Sequence, residues 1–254
     1  MKERREIVLD DGEAQRELRR RTRRDFLIAG AAAIGAIGGY EWITHARAEK
    51  EVPWPQRRVL EFNRKLAENY LSDSHLMPTY SMDQVEYLKV NGDIGVDTPI
   101  DAANWKLRVA MDAGEAVSLS LADVKALPKV EMITRFCCIE GWSVIAYWGG
   151  ARFSDFTKKY FPPGQPLPEY VAMSTPDEDY YVGLDRKSAM HPQTLLAYER
   201  NGKPLEPEHG APLRLVIPVK YGIKNIKRLG SIRYTKDRPD DYWADEGYDW
   251  FAGL

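Results

Sequence analysis

The chain holds two cysteines, and they are neighbours: Cys137 and Cys138. A disulfide framework links distant parts of a chain, so this pair cannot supply one; a bridge between neighbours closes only a strained ring. The fold must therefore be held by an apolar core. The material is present, since 44% of the 254 residues are hydrophobic and 36 Lys+Arg stand against 38 Asp+Glu. This is ordinary globular composition. A formal net charge of -2 gives no basic footprint, so no nucleic-acid partner is expected.

The N-terminus reads as an address. Six arginines lie between Arg16 and Arg24, an Ala/Gly-rich apolar stretch follows from Phe26 to Gly39, and His45-Ala46-Arg47-Ala48 offers a small-x-small cleavage pattern. Within it, Thr22-Arg23-Arg24-Asp25-Phe26-Leu27 resembles the twin-arginine export motif, which a receptor reads. Residues 1–48 are expected to be that signal, cut after Ala48 or kept as an N-terminal anchor, with the rest delivered to the periplasm. The apolar stretch is diluted by glycine and falls short of the usual ~20 residues of a spanning helix. The twin-arginine route carries folded proteins, often with a cofactor already inserted, which makes an exported chain with few cysteines a candidate cofactor enzyme.

From 49 to 254 no proline-, glycine- or serine-rich linker intervenes, and a single domain is expected. The spacing of Val59, Leu60, Phe62, Leu66 and Leu71 predicts a helix from about Glu49 to Leu71. Residues 75–96 read as mixed and loop-rich. Alternation predicts strands at Trp105–Met111 and Val117–Ser120, and a short helix at Leu121–Leu127 ends before Pro128. Strands are expected at Glu131–Phe136, Tyr170–Met173, Leu213–Ile217 and Ile226–Tyr234, with a helical turn at Ser143–Trp148. Short strands, 16 prolines and 19 glycines point to an α+β domain, mixed and β-rich with irregular loops.

Two stretches carry chemistry. In Arg135-Phe-Cys-Cys-Ile-Glu-Gly-Trp-Ser143, a cysteine at a strand end before a glycine turn can hold a thiolate at the mouth of a pocket, where soft sulfur suits a redox-active metal. By residue type alone, an inert core cysteine is the commoner outcome. The second stretch runs from His209 to Pro218 and on through Lys220–Arg228. Four cations fall within those last nine residues, beside Gly222, as in a phosphate or anion site. The alternative is a solvated edge strand. Lys224 and Lys227, interleaved with Ile223 and Ile226, are expected to share one face.

An ordered series of segments joins these two. It comprises Cys138-Ile-Glu140-Gly-Trp142, Ala172-Met-Ser-Thr175, Ala189-Met-His-Pro-Gln-Thr-Leu195, Asn201-Gly-Lys-Pro-Leu205, His209-Gly-Ala-Pro-Leu-Arg214 and Tyr221-Gly-Ile-Lys-Asn-Ile-Lys227. From about Trp105 to Tyr234 the chain resembles the molybdopterin-binding domain of the sulfite oxidase superfamily, which periplasmic protein-methionine-sulfoxide reductases share. The resemblance implies a sulfite-oxidase-type fold and a molybdenum–molybdopterin cofactor. Cys138 would be the metal's thiolate ligand and a catalytic residue. Thr175, His209, Arg214, Asn225, Ile226 and Lys227 would contact the cofactor. An early contacting segment is expected near Met82–Asn91.

The departures inform the substrate. Sulfite oxidases continue with an arginine-rich segment after the cysteine, whereas this chain has Glu140-Gly141-Trp142. A carboxylate there disfavours a doubly charged anion such as sulfite. Glu140 is accordingly read as a catalytic-site residue that adjusts charge or proton supply, with a structural hydrogen bond as the alternative. The implied activity is oxygen-atom transfer on a small-molecule or protein sulfoxide, or an N-oxide. Electrons must pass through a partner, a membrane haem protein or a soluble cytochrome, because the chain has no C-x-x-C-H and too few cysteines for an iron–sulfur cluster. Two rivals remain: a thiol redox protein using both cysteines, and a non-catalytic binding module on the same fold without its cofactor. The aromatic, acidic run Asp241–Trp250 could cover a pocket, dock a partner or pack.

Overall fold

The alternation of buried Leu107, exposed Arg108 and buried Val109 opens the first of two five-stranded sheets in the computed structural model, which describes residues 10–49, 52–96, 99–111 and 116–254. The chain divides into two compact units, residues 1–58 and 59–254.

The first unit contains one helix, α1 (Asp11–Thr44), and a small hairpin, β1 (Ala48–Glu49) with β2 (Val52–Pro53). None of α1 is buried. The helix runs unbroken through both the arginine cluster and the apolar stretch. Among the described residues it is the one helix long and apolar enough to cross a membrane, a test that N-terminal signal sequences also pass. Residues on both sides of Phe26–Gly39 continue the helix, so it is longer than the apolar stretch alone. The helix expected from Glu49 instead begins later, as α2 (Trp54–Tyr70), where Pro55 fits a first turn that needs no intrahelical N–H. Residues 50 and 51 of that expectation lie outside the described residues.

In the second unit the strands are β3 (Leu107–Met111), β4 (Val117–Leu119), β5 (Lys129–Cys137), β6 (Ser143–Arg152), β7 (Tyr170–Ser174), β8 (Tyr181–Asp185), β9 (Leu195–Arg200), β10 (Lys203–Pro204), β11 (Arg214–Val216) and β12 (Ser231–Thr235). Of these, β3, β4, β5, β7 and β11 form where strands are expected, and β6, β8, β9 and β10 are strands not expected from the sequence. Short helices α3 (Leu121–Lys125), α4 (Phe153–Tyr160), α5 (Arg186–Met190) and α6 (Tyr242–Asp245) connect or flank them. Ser143–Trp148 is not a helical turn; it opens β6, the longest strand, paired residue for residue with β5. Only Ser231–Tyr234 of the expected Ile226–Tyr234 strand pairs; Ile226–Gly230 is loop.

One sheet has the order β10-β9-β6-β5, with β11 also on β9; the other is β4-β3-β12-β7-β8. Between β3 and β7, β12 runs parallel to the first and antiparallel to the second. The β9-containing sheet is covered on both faces, so Leu196 and Tyr198 enter one apolar cluster while Leu195 and Ala197 enter another. The larger cluster joins the sheets through Phe153 and Phe156 of α4. A third, from Ala244, Trp250 and Phe251, packs on Ala67 and Leu71. The mixed α+β architecture expected from the sequence is the one observed.

Candidate active site

The β5–β6 hairpin ends in a tight turn that fixes Cys138. Its N–H donates to the Trp142 carbonyl at 2.9 Å, and the Gly141 N–H returns to the Cys138 carbonyl at 3.1 Å. Gly141 adopts a φ of 89°, a left-handed conformation that favours glycine. Cys137 is still in the ladder, opposite Ser143, while Cys138 lies just past it and lines a cavity. Both cysteines are free thiols.

The cavity has a volume of about 190 Å³ and opens to solvent. Three separated pieces of chain meet there. The hairpin tip brings Cys138, Ile139, Glu140 and Trp142; the 88–94 loop brings Lys89, Asn91 and Ile94; the 209–227 region brings His209, Arg214, Asn225 and Lys227. Two glycines allow the approach. A Cβ on Gly222 would stand 2.7 Å from the Phe136 ring, and one on Gly210, whose φ is 102°, would stand 2.9 Å from Lys227 Cβ.

At the thiol, Asn91 Nδ2 donates to Cys138 Sγ at 3.7 Å and reaches Glu140 Oε2 at 3.5 Å. The Trp142 indole N–H donates to the same carboxylate oxygen at 2.8 Å, and Lys89 Nζ stands 4.3 Å above the Trp142 ring. Burial raises the Cys138 thiol above its ordinary pKa, and the nearby Glu140 charge adds to the rise. The Trp142 hydrogen bond, helped by Lys89, lowers that of Glu140.

The opposite wall is cationic. Arg214 is fully buried and donates to the carbonyls of His209 (2.9 Å) and Asn225 (3.1 Å), with its guanidinium 4.8 Å from the Trp148 ring. Burial draws its pKa down to about 10. Lys227 Nζ donates to the carbonyls of Asn91 (2.8 Å) and Gly92 (3.0 Å), tying two walls together. Its pKa is lowered to about 8, by burial first and then by Arg214 and Arg228. His209 is lowered too, again chiefly by burial. Among the described residues no carboxylate lies within ion-pair distance of Arg214 or Lys227. A buried arginine held only by carbonyls keeps its charge uncompensated, which suits an anionic group entering from the cavity. With the Cys138 sulfur lining the same cavity, the residues present fit a metal–pterin phosphate cofactor.

The expected site residues divide. Cys138, Glu140, His209, Arg214, Asn225 and Lys227 line one cavity. Thr175 does not; it lies behind the wall, against Gly95, with its hydroxyl donating to Asp177 at 2.5 Å. The Ile226 side chain is buried in the apolar core, and its carbonyl accepts from the Leu215 N–H. Lys224 and Lys227 do not share a face. Asn225 ends the 3-10 turn Gly222–Lys224, so Lys224 turns inward to Asp241 while Lys227 reaches the cavity. The early segment contacts the site from Leu88 to Ile94, straddling the end of the expected range. Sequence reasoning missed Tyr180, Ile223, Trp243 and Tyr248 as lining residues. The last two belong to the aromatic run already noted, which both packs and lines the cavity.

Comparison with known proteins agrees with this geometry. Residues 95–243 match the family described as "Oxidoreductase molybdopterin binding domain". The protein-methionine-sulfoxide reductase catalytic subunit MsrP of Campylobacter jejuni is 32% identical over 210 residues, 72% of this chain and 68% of that one. MsrP of Xanthomonas campestris pv. campestris is 37% identical over 156 residues, 56% of this chain and 48% of that one. The YedZ1 protein of Azospira oryzae is 37% identical over 155 residues, 61% of this chain and 58% of that one. The chain thus spans about half to two thirds of the length of these curated relatives. Among solved structures, the sulfane dehydrogenase SoxCD of Paracoccus pantotrophus shares the fold, with a TM-score of 0.50 at 16% identity over 56% of this chain and 40% of that one. On this match and these relatives, the chain belongs to the molybdopterin-binding oxidoreductase family that includes the sulfite oxidases.

Proposed function

We propose that this chain is a periplasmic molybdenum–molybdopterin enzyme that reduces sulfoxides, with methionine sulfoxide in proteins as its substrate class. The observation that carries the reading is one cavity lined by a thiol, Cys138, together with the buried Arg214, which has only carbonyl partners, and the half-buried Lys227. The MsrP relatives are named for the same reaction. Cys138 holds the metal; Arg214, Lys227, Asn225 and His209 hold the pterin and its phosphate. When bound, this group supplies two-electron oxygen-atom exchange. In the net change the S=O bond breaks, and a sulfoxide with two protons and two electrons becomes a thioether and water. Asn91 and Trp142 hold Glu140 beside Cys138, where its carboxylate repels a dianion such as sulfite and admits a neutral sulfoxide. Electrons arrive from a membrane haem protein or a soluble cytochrome, and α1 with its Arg23-Arg24 pair serves as a twin-arginine signal or anchor.

The experiment is elemental analysis for molybdenum with pterin fluorescence on the exported protein, followed by turnover with a reduced viologen dye. Near-stoichiometric metal and oxidation of the dye by methionine sulfoxide are expected. Folded, exported protein without molybdenum would leave a binding module as the better reading. Molybdenum with sulfite as the preferred substrate would overturn the substrate class.

A further inference from the structure

The C-terminal segment also lines the cavity, and none of the residues assigned to the cofactor lies on it. Trp243 and Tyr248 line the cavity, the Tyr248 N–H donates to the Trp243 carbonyl at 2.8 Å, and their rings meet edge-on with centroids 5.2 Å apart. Trp243 in turn meets Tyr242 at 5.4 Å, which rests on Tyr180 and Tyr181 at 5.5 and 5.9 Å. An aromatic ladder thus runs from β8 to the cavity. It is seated by a fully buried ion pair. Lys224 Nζ meets Asp241 Oδ2 at 2.5 Å and the Gly183 carbonyl at 2.9 Å, while Asp241 also accepts from the N–H groups of Gly183 and Ala244.

Besides its polar residues, then, the cavity is lined by rings and by the aliphatic Ile139 and Ile223. We propose that Trp243 and Tyr248 are specificity-determining residues that receive the alkyl part of the sulfoxide, the S-methyl and side-chain methylenes of methionine sulfoxide, and that Lys224 and Asp241 position them. This rests on the sulfoxide-reductase reading above. Its chemistry is contact between aromatic faces and a polarisable sulfur with its methyl groups. Tyr248 is half exposed, so the wall reaches the mouth, where a side chain presented by a larger molecule enters.

The test compares N-acetyl-methionine sulfoxide with dimethyl sulfoxide on molybdenum-loaded wild-type, Trp243→Ala and Trp243→Phe proteins. Removing the indole is expected to raise KM for the methionine compound at least ~10-fold, the scale of losing a methylene-sized contact in an apolar pocket. KM for dimethyl sulfoxide should change much less, and Trp243→Phe should restore most of the difference. A binding readout free of turnover is titration with N-acetyl-methionine sulfone, followed by calorimetry, with affinity falling in the same proportion at unchanged molybdenum and pterin content. An unchanged KM ratio in loaded, folded Trp243→Ala overturns the wall assignment alone. A loaded wild-type protein that neither reduces sulfoxides nor binds the sulfone overturns the functional reading with it.

Discussion

Replacing Lys224 by methionine tests how the C-terminal segment is held. Lys224 and Asp241 are both almost wholly buried, and the ammonium has three partners: Asp241, the Gly183 carbonyl and the Trp250 ring at 4.7 Å. Methionine keeps the length of the side chain but leaves the Asp241 charge in the interior with only two backbone N–H donors. Breaking a buried pair from one side costs roughly 3–5 kcal/mol. For a chain of this size each kcal/mol lowers Tm by about 2–4 °C, so a fall of roughly 6–20 °C is expected. Adding Asp241→Asn removes the stranded charge. Its amide oxygen can still cap α6, and the double variant should recover most of the loss. Thermal unfolding followed by circular dichroism gives both numbers. A single variant that loses less than about 1 kcal/mol, or a double variant no better than the single, would refute a buried pair.

Cys138→Ser should keep the native far-ultraviolet spectrum, because the turn is held by backbone bonds, while molybdenum content and sulfoxide reduction are lost; an active, loaded variant would remove Cys138 from the metal. Lys227→Met should release the 88–94 loop from its two carbonyl bonds and reduce pterin retention at least ~10-fold, measured by fluorescence after gel filtration. Burial lowers the pKa of both His191 and His209, so below about pH 6.5 the unfolded chain binds protons that the native one refuses. Stability should therefore fall as pH drops from there through the lowered native values, and His209→Asn should lessen the slope in urea titrations at successive pH. A Cβ on Gly150 would stand 2.3 Å from the Leu196 carbonyl oxygen, so Gly150→Ala should destabilise by about 1–3 kcal/mol in the same assay.

Local pattern carried much of this structure. The strand end and glycine turn around Cys138 are legible because a strand, a glycine and the next aromatic lie within a few residues, whereas the returning strand is not. Ser143–Trp148 was misread because its apolar run lacks a decisive period, and such a run cannot be told from a helical segment by spacing. Only the structure shows β6 pairing with β9, so closely that a Cβ on Gly150 would meet the Leu196 carbonyl. Lys224 illustrates a different limit. Its neighbours suggested an anion site, but its partner Asp241 is fixed by the fold, and nothing local announces that pairing. Asn91 beside Cys138 and Gly92 beside Lys227 are contacts between distant segments of the same kind. Thr175 matches its motif, yet it is buried against Gly95 and does not line the cavity.

The placement of β12 sets an order of events during synthesis. It sits between β3 and β7, although more than a hundred residues separate its sequence from that of β3. Until Ser231–Thr235 leaves the ribosome, β3 and β7 have no common neighbour, and one sheet exists only as two hairpins with open edges. Such late, non-local closure is slow and leaves strand edges exposed meanwhile. The segments that line the cavity are likewise made at different times, with the tail that carries Trp243 emerging last. A ligand that needs all of them can be enclosed only after translation of this part of the chain is finished.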